Sequence, residues 1–187
     1  VAEYIPDRRN AELYQSEAEL ERGLIELLQK QGYEYLPIHT EADLIANLRV
    51  QLEALNEIRF TDAEWQRFFA VYIANANEGI VEKTRKIQEG DSRISFKRDD
   101  GLTKNIALIE KANIHANKLQ VINQYENNAG TYKNRYDVTI LVNGLPLVHI
   151  ELKRRGVKIR EAFNQINRYQ RESFWAESGL FQYVHIF

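Results

Sequence analysis

The stretch RYDVTILVNGLPLVHIELKRR, residues 135–155, restricts the possible folds more than any other part of the chain. It reads as two apolar β-strands meeting at Asn143-Gly144, a dipeptide that favours a tight hairpin. Asp137, Glu151 and Lys153 stand inside those strands, although their types are rarely buried unless paired or functional. In the first strand the even positions Tyr136, Val138, Ile140 and Val142 are β-branched or aromatic, and in the second Val148, Ile150 and Leu152 are apolar. Directly opposed residues of an antiparallel pair share a face. Burying both rows together therefore requires even-numbered residues opposite even-numbered ones. A two-residue Asn-Gly loop would pair Val142 with Leu145 and separate the rows. The pattern predicts a three-residue turn instead, a type I turn with Gly144 left-handed and a bulge after it. Asp137, His149, Glu151 and Lys153 then share the other face; if Asp137 sits opposite His149, it is a diagonal neighbour of Glu151, within reach of a shared metal ion.

Two carboxylates and an ammonium converging on one sheet face have a chemical use. Acidic oxygens hold Mg²⁺, a hard cation that keeps several of its waters. Such an ion polarises a phosphodiester and lowers the pKa of an attacking water, while a lysine orients that water or stabilises developing charge. The bland alternative is an exposed ion pair between Asp137 and Lys153 on a solvated face. By spacing alone the two readings stand level.

The rest of the chain sets the bounds. Its 187 residues fit one domain. The hydrophobic fraction of 44% and charged fraction of 28% are those of an ordinary globular domain. Net charge is −2, so any nucleic-acid contact must come from a local patch. There is no cysteine, hence no disulfide or thiolate metal site, which suits a reducing cytoplasm. No run approaches the ~18 apolar residues of a membrane span, and no signal-peptide core opens the chain. The sequence starts at Val1, contains no methionine, and stops inside the apolar run GLFQYVHIF. It is expected to be an N-terminal piece of a longer protein.

Helical signals occupy about residues 12–90. Ser16 with Glu19 has capping-box spacing before Leu20, Leu24, Leu27 and Leu28, and Gly32 stands where such a helix would end. Leu44, Ile45, Leu48, Leu52 and Leu55 form a second stripe, and Thr61 with Glu64 opens a third helix through Trp65, Phe68, Phe69 and Tyr72. From about 91 the pattern turns strand-like, with a hairpin around Asp100-Gly101 and a strand in KLQVINQYE. Residues 157–175 read as helix and 182–187 as the start of another strand. The whole is expected to be α/β, a mixed central sheet flanked by helices after a helical N-terminal segment.

Asp137, thirteen intervening residues, then Glu151-Leu152-Lys153 resembles the D…ExK signature of the PD-(D/E)xK nuclease superfamily. On the following helix Gln165 and Tyr169 are four apart and share a face, similar to the Q-xxx-Y element of the RecB-like branch. The combined run NRYDVTILVNGLPLVHIELKRRGVKIREAFNQINRYQ resembles the nuclease domain of the restriction (R, motor) subunit of type I restriction enzymes. SEAELERGLIELLQKQGYEY and GIVEKTRKIQ are similar to that family's N-terminal blocks. One departure is Tyr136, which stands where proline often precedes the aspartate.

The resemblance implies a restriction-endonuclease-like fold over residues 1–187. Asp137, Glu151 and the Leu152 carbonyl would hold Mg²⁺, and Lys153 would be the catalytic lysine. Gln165 and Tyr169 would support the site or hold DNA, although packing with Ile166 and Phe163 is the plainer reading of Tyr169. A glutamate of the first helix is expected to join, Glu21 ahead of Glu17, against a solvated helix face. His149 is expected in a polar role beside the site or near DNA. Arg154, Arg155, Lys158 and Arg160 are candidates for phosphate contact, or a solvated loop and helix start. The implied activity is Mg²⁺-dependent cleavage of double-stranded DNA in the bacterial or archaeal cytoplasm, alongside methyltransferase and specificity subunits. Translocation would use ATP, yet no G-xxxx-GK[ST] loop occurs in these residues, so the motor is expected outside them. The alternative is a catalytically silent module that binds DNA or docks the methyltransferase.

Overall fold

The computed structural model describes residues 16–127, 134–154, 156–172 and 178–187. Helix α1 (Glu17–Lys30) starts as its sequence dictates. The Ser16 side chain accepts from the Glu19 amide while the Glu19 carboxylate accepts from the Ser16 amide, satisfying two otherwise orphaned donors. Gly32, at φ 93°, turns the chain out of the helix into the short strand β1 (Glu34–Tyr35). Helix α2 (Glu41–Leu55) buries Leu44, Leu48 and Leu52. Thr61 and Glu64 form a second capping box at α3 (Asp62–Phe68), which continues as a π-helical turn over Phe69–Ile73. Helix α4 (Ile80–Gln88) follows.

Strands β2 (Arg93–Lys97) and β3 (Thr103–Ala107) form the expected hairpin about Asp100-Gly101. The main sheet is mixed. Its order is β1, β4 (Leu119–Asn127), β5 (Asn134–Val142), β6 (Leu145–Ile150), parallel between β1 and β4 and antiparallel elsewhere. Helix α1 covers one face, where Leu28 meets Val121 and Val138, with Ile140, Ile150 and Leu152 packed around them. The other face joins α2, α3, α4 and the small hairpin in a larger core that includes Leu141, Leu145 and Leu147. Helix α5 (Ile159–Glu172) and a 3₁₀ turn at Leu180–Tyr183 follow. The mixed α/β architecture is thus the one expected.

The hairpin differs from expectation in an instructive way. Its loop is two residues, because Val142 pairs with Leu145, and both Asn143 (φ 50°) and Gly144 (φ 82°) are left-handed. The Asn143 side chain tolerates this conformation because it is buried and tied. Its Nδ2 donates to the Leu108 carbonyl at 3.0 Å and its Oδ1 accepts from the Lys118 amide at 2.8 Å. Gly144 has a second reason to lack a side chain, since a Cβ there would lie 2.7 Å from Leu48 Cα on α2. The bulge comes later, where Leu141 pairs with Pro146 but Ile140 pairs with Val148, leaving Leu147 over. Pro146 has no N–H to give the ladder, and an extra residue beside it absorbs the break. Beyond that point even residues oppose even residues, as the apolar rows require.

Two further expectations are corrected. His149 pairs with Thr139 rather than Asp137, so continuing the ladder by one step puts Glu151 across from Asp137. Tyr136 leaves the even apolar row and stacks on Tyr125 in the larger core, ring centroids 6.0 Å apart. The alternation breaks beside Gln124 of β4, which lies between the pairs Asn123–Val138 and Tyr125–Tyr136 and takes φ 50°. Residues 182–187 contribute a single parallel bridge, Ile186 with Val148.

Candidate active site

Strands β5 and β6 bring Asp137 and Glu151 together on one face. Asp137 Oδ2 accepts from the Leu152 amide at 2.9 Å. The Glu151 side chain is fully buried, and Lys153 Nζ donates to its Oε1 at 2.6 Å. Glu151 Oε2 is also buried and accepts no hydrogen bond among the described residues, while His149 Nε2 stands 3.5 Å from it. The solvated ion pair offered as an alternative does not describe this arrangement, because Lys153 engages Glu151 and its side chain is only 17% exposed.

The electrostatics separate the two carboxylates. Burial, then the negative charge of Glu151, push Asp137 up to about 6, against the pull of the Leu152 amide. Burial pushes Glu151 up as well, but His149 and Lys153 outweigh it and hold the group below the usual range. Burial pulls Lys153 down, but its bond to Glu151 and the negative charges of Glu151, Asp137 and Glu17 together hold it above its usual value. An excess of buried negative charge over neighbouring cations is what a divalent cation relieves. Among the described residues no group of three His, Cys, Asp or Glu side chains is gathered for a metal.

Gln165 and Tyr169 lie on one face of α5, as their spacing requires. Gln165 Nε2 donates to the Tyr169 hydroxyl at 2.5 Å, and that hydroxyl donates to the Arg135 carbonyl at 3.0 Å. Tyr169 is 1% exposed, too deep to lie against DNA. Its ring packs on Tyr136 and His149, whereas Phe163, a partner expected from sequence, is exposed. Gln165 shares an open cleft of about 380 Å³ with Lys153, Glu161, Asn164 and Arg168.

The glutamates of α1 divide their tasks. Glu21 accepts from Asn123 Nδ2 at 2.6 Å and from Gln124 Nε2. It is therefore held on β4, the strand beside Asp137. Glu17, ranked second by sequence, accepts from the Arg154 amide at 3.3 Å. Arg154, Lys158 and Arg160 are exposed, and Arg155 lies outside the described residues. Sequence reasoning missed Asn123 and Gln124, whose amides anchor Glu21, and the cleft residues Asn164 and Arg168. Of these only Arg168 had a sequence signal, its helical spacing three residues after Gln165.

The family model described as type I restriction enzyme R protein N terminus matches residues 14–187. The chain is 55% identical over 185 residues to the type I restriction enzyme EcoprrI endonuclease subunit of Escherichia coli, covering 98% of this chain and 58% of that one. It is 41% identical over 180 residues to the SsaAORF53P endonuclease subunit of Staphylococcus saprophyticus, covering 94% and 18%. It is 38% identical over 179 residues to the SauMSSORF170P subunit of Staphylococcus aureus, covering 93% and 18%. The chain thus spans 58% of the first relative's length and 18% of the other two.

Proposed function

Since this chain belongs to the family of type I restriction enzyme R protein N termini, we propose that residues 1–187 are a single Mg²⁺-dependent nuclease domain that hydrolyses phosphodiester bonds of double-stranded DNA. The observation that carries this reading is the half-buried Asp137 beside the fully buried Glu151 side chain, with Lys153 on one Glu151 oxygen. The residues present fit a hard divalent cation, because both side chains offer oxygen, Glu151 Oε2 is buried without a hydrogen bond among the described residues, and Asp137 is short of positive charge. Asp137, Glu151 and the Leu152 carbonyl would hold it. When bound, the cation would polarise the scissile phosphate and acidify water.

The chain's own residues supply the rest. Lys153 stays charged through its bond to Glu151 and lines the open cleft, so its ammonium is placed to stabilise negative charge gathering on the phosphate. Tyr169, buried and bonded to the Arg135 carbonyl at the start of β5, holds α5 against the strand that carries Asp137. Gln165, bonded to Tyr169, keeps α5 facing the cleft. Glu21 braces β4 beside Asp137. Arg154, Arg155, Lys158 and Arg160 would meet phosphates flanking the cut.

We place ATP-driven translocation in other parts of the subunit and the reaction in the bacterial cytoplasm, with methyltransferase and specificity subunits as partners. Among the described residues no helix is long and apolar enough to cross a membrane. The test uses the full-length subunit assembled with its partners, ATP and Mg²⁺, on DNA with an unmodified site. Asp137→Ala and Lys153→Ala should abolish cleavage while ATP hydrolysis continues. Undiminished cleavage would make this face structural and turn attention to a docking role.

A further inference from the structure

We propose that His149 is a positioning residue for Glu151, holding that carboxylate in the orientation that receives the cation; the inference rests on the metal-dependent reading above. The imidazole is fully buried. It lies on β6 two residues before Glu151, the spacing that sends both side chains to one face. Its Nε2 stands 3.5 Å from Glu151 Oε2, while Lys153 holds Oε1 at 2.6 Å. The carboxylate is therefore flanked at both oxygens by nitrogen-bearing groups from its own strand and the residues after it.

The ring is fixed from its other sides. Tyr136 and Tyr169 meet it edge-on, with centroids 5.3 and 5.8 Å away. Its amide donates to the Ile186 carbonyl at 3.0 Å, pinning the backbone from the neighbouring segment. Tyr169 is itself anchored through its hydroxyl to the Arg135 carbonyl. An aromatic box of this kind would accept phenylalanine at lower desolvation cost. What histidine adds is a polar edge, and that edge faces Glu151. Partners that orient a metal-ligating side chain are commonly worth 10–100-fold in metal affinity. This arrangement also links the Q-xxx-Y element to the metal site, because Tyr169 packs on the ring that faces Glu151.

The test replaces the ring in the full-length subunit with Phe, which keeps the shape and removes the nitrogens, and with Gln, which keeps a polar donor in a poorer shape. Mn²⁺ binding is titrated without DNA or ATP, counting only ions that Asp137→Ala fails to bind. Mg²⁺ for half-maximal cleavage is measured in the assembled complex. His149→Phe should weaken Mn²⁺ binding and raise the Mg²⁺ requirement about tenfold, and His149→Gln should return both to within about threefold of wild type. Packing alone predicts the reverse order, with Phe matching wild type and Gln worse, and that order would overturn the proposal. Wild-type binding in both variants would overturn it too. Thermal melting checks folding, and His149→Met replaces Phe if that variant does not fold. If Asp137→Ala itself binds and cleaves like wild type, the metal-dependent reading fails first; failure confined to the His149 variants leaves that reading standing.

Discussion

Glu64, in the helical half of the chain, and Asp137, in the sheet, are both carboxylates drawn out of water, yet their surroundings are opposite. Glu64 accepts from Arg98 Nε and Nη2 at 3.1 and 3.0 Å and from the amides of Thr61 and Asp99 at 3.0 Å. The Arg98 guanidinium, aided by those amides, holds it down at about 2. Glu53 is treated alike, with Arg49, Arg59 and the Phe60 amide overcoming its burial. Asp137 receives one amide and faces a second carboxylate, and its affinity for protons rises instead. A buried acid that serves the fold is surrounded by donors and arginine. A buried acid left short of positive charge is kept for something that arrives later.

The contrast is sharpened most by removing each charge in turn. Asp137→Asn should lower cleavage on the order of 10³-fold while leaving stability unchanged or raised by about 1 kcal/mol, read by denaturant melting without divalent metal. Arg98→Ala should do the opposite, costing about 3 kcal/mol by stranding Glu64 while the folded fraction cleaves normally. Equal destabilisation by both would remove the distinction.

The pH dependence has opposite signs for the two groups. Glu64 is depressed in the fold, so its contribution is complete above about 4.5 and is lost as pH falls from there toward about 2. Asp137 is raised, so in metal-free protein its ionisation costs stability above about 6, and the cost is relieved as pH falls from about 6 toward 3.8. Melting curves of Asp137→Asn and Glu64→Gln against wild type between pH 3 and 8 should separate the two windows. Added Mg²⁺ should cancel only the Asp137 difference near neutrality.

The turn that joins the two regions tests how far they depend on each other. Gly144 belongs to the active-site hairpin but touches the backbone of α2. Gly144→Ala places a Cβ against Leu48 Cα at a left-handed position, and should cost about 2 kcal/mol. If cleavage falls with stability, the hairpin's seat on α2 sets the geometry of Asp137 and Glu151.

Much of this was legible because it was local or periodic. The capping boxes at Ser16 and Thr61, the left-handed Gly32 and the shared face of Gln165 and Tyr169 follow from spacing alone. The even-to-even register also followed, because burying two apolar rows leaves no other solution. Where the extra residue would sit was not legible. The sequence argument put it in the turn, whereas Pro146 draws it into β6, and the left-handed Asn143, a type that tolerates this conformation, is held there by the Leu108 carbonyl and the Lys118 amide, both distant in sequence. The left-handed Gln124, and the turn of Tyr136 into the core against His149 beside it, had no warning in composition or period. Tertiary partners decided each of these.

Tyr169 provides the smallest test and the one that bears most directly on how the site is built. Tyr169→Phe keeps the ring against Tyr136 and His149 and removes only the hydroxyl between Gln165 and the Arg135 carbonyl. Loss of one hydrogen bond of this kind costs about 1 kcal/mol, a shift measurable by denaturant melting. If Tyr169 supports the site through α5, cleavage should fall modestly and DNA affinity should stay unchanged, because a residue 1% exposed touches no phosphate. A drop in DNA affinity without a drop in stability would mean that α5 moves to admit DNA, and that the buried tyrosine of this structure belongs to its closed state.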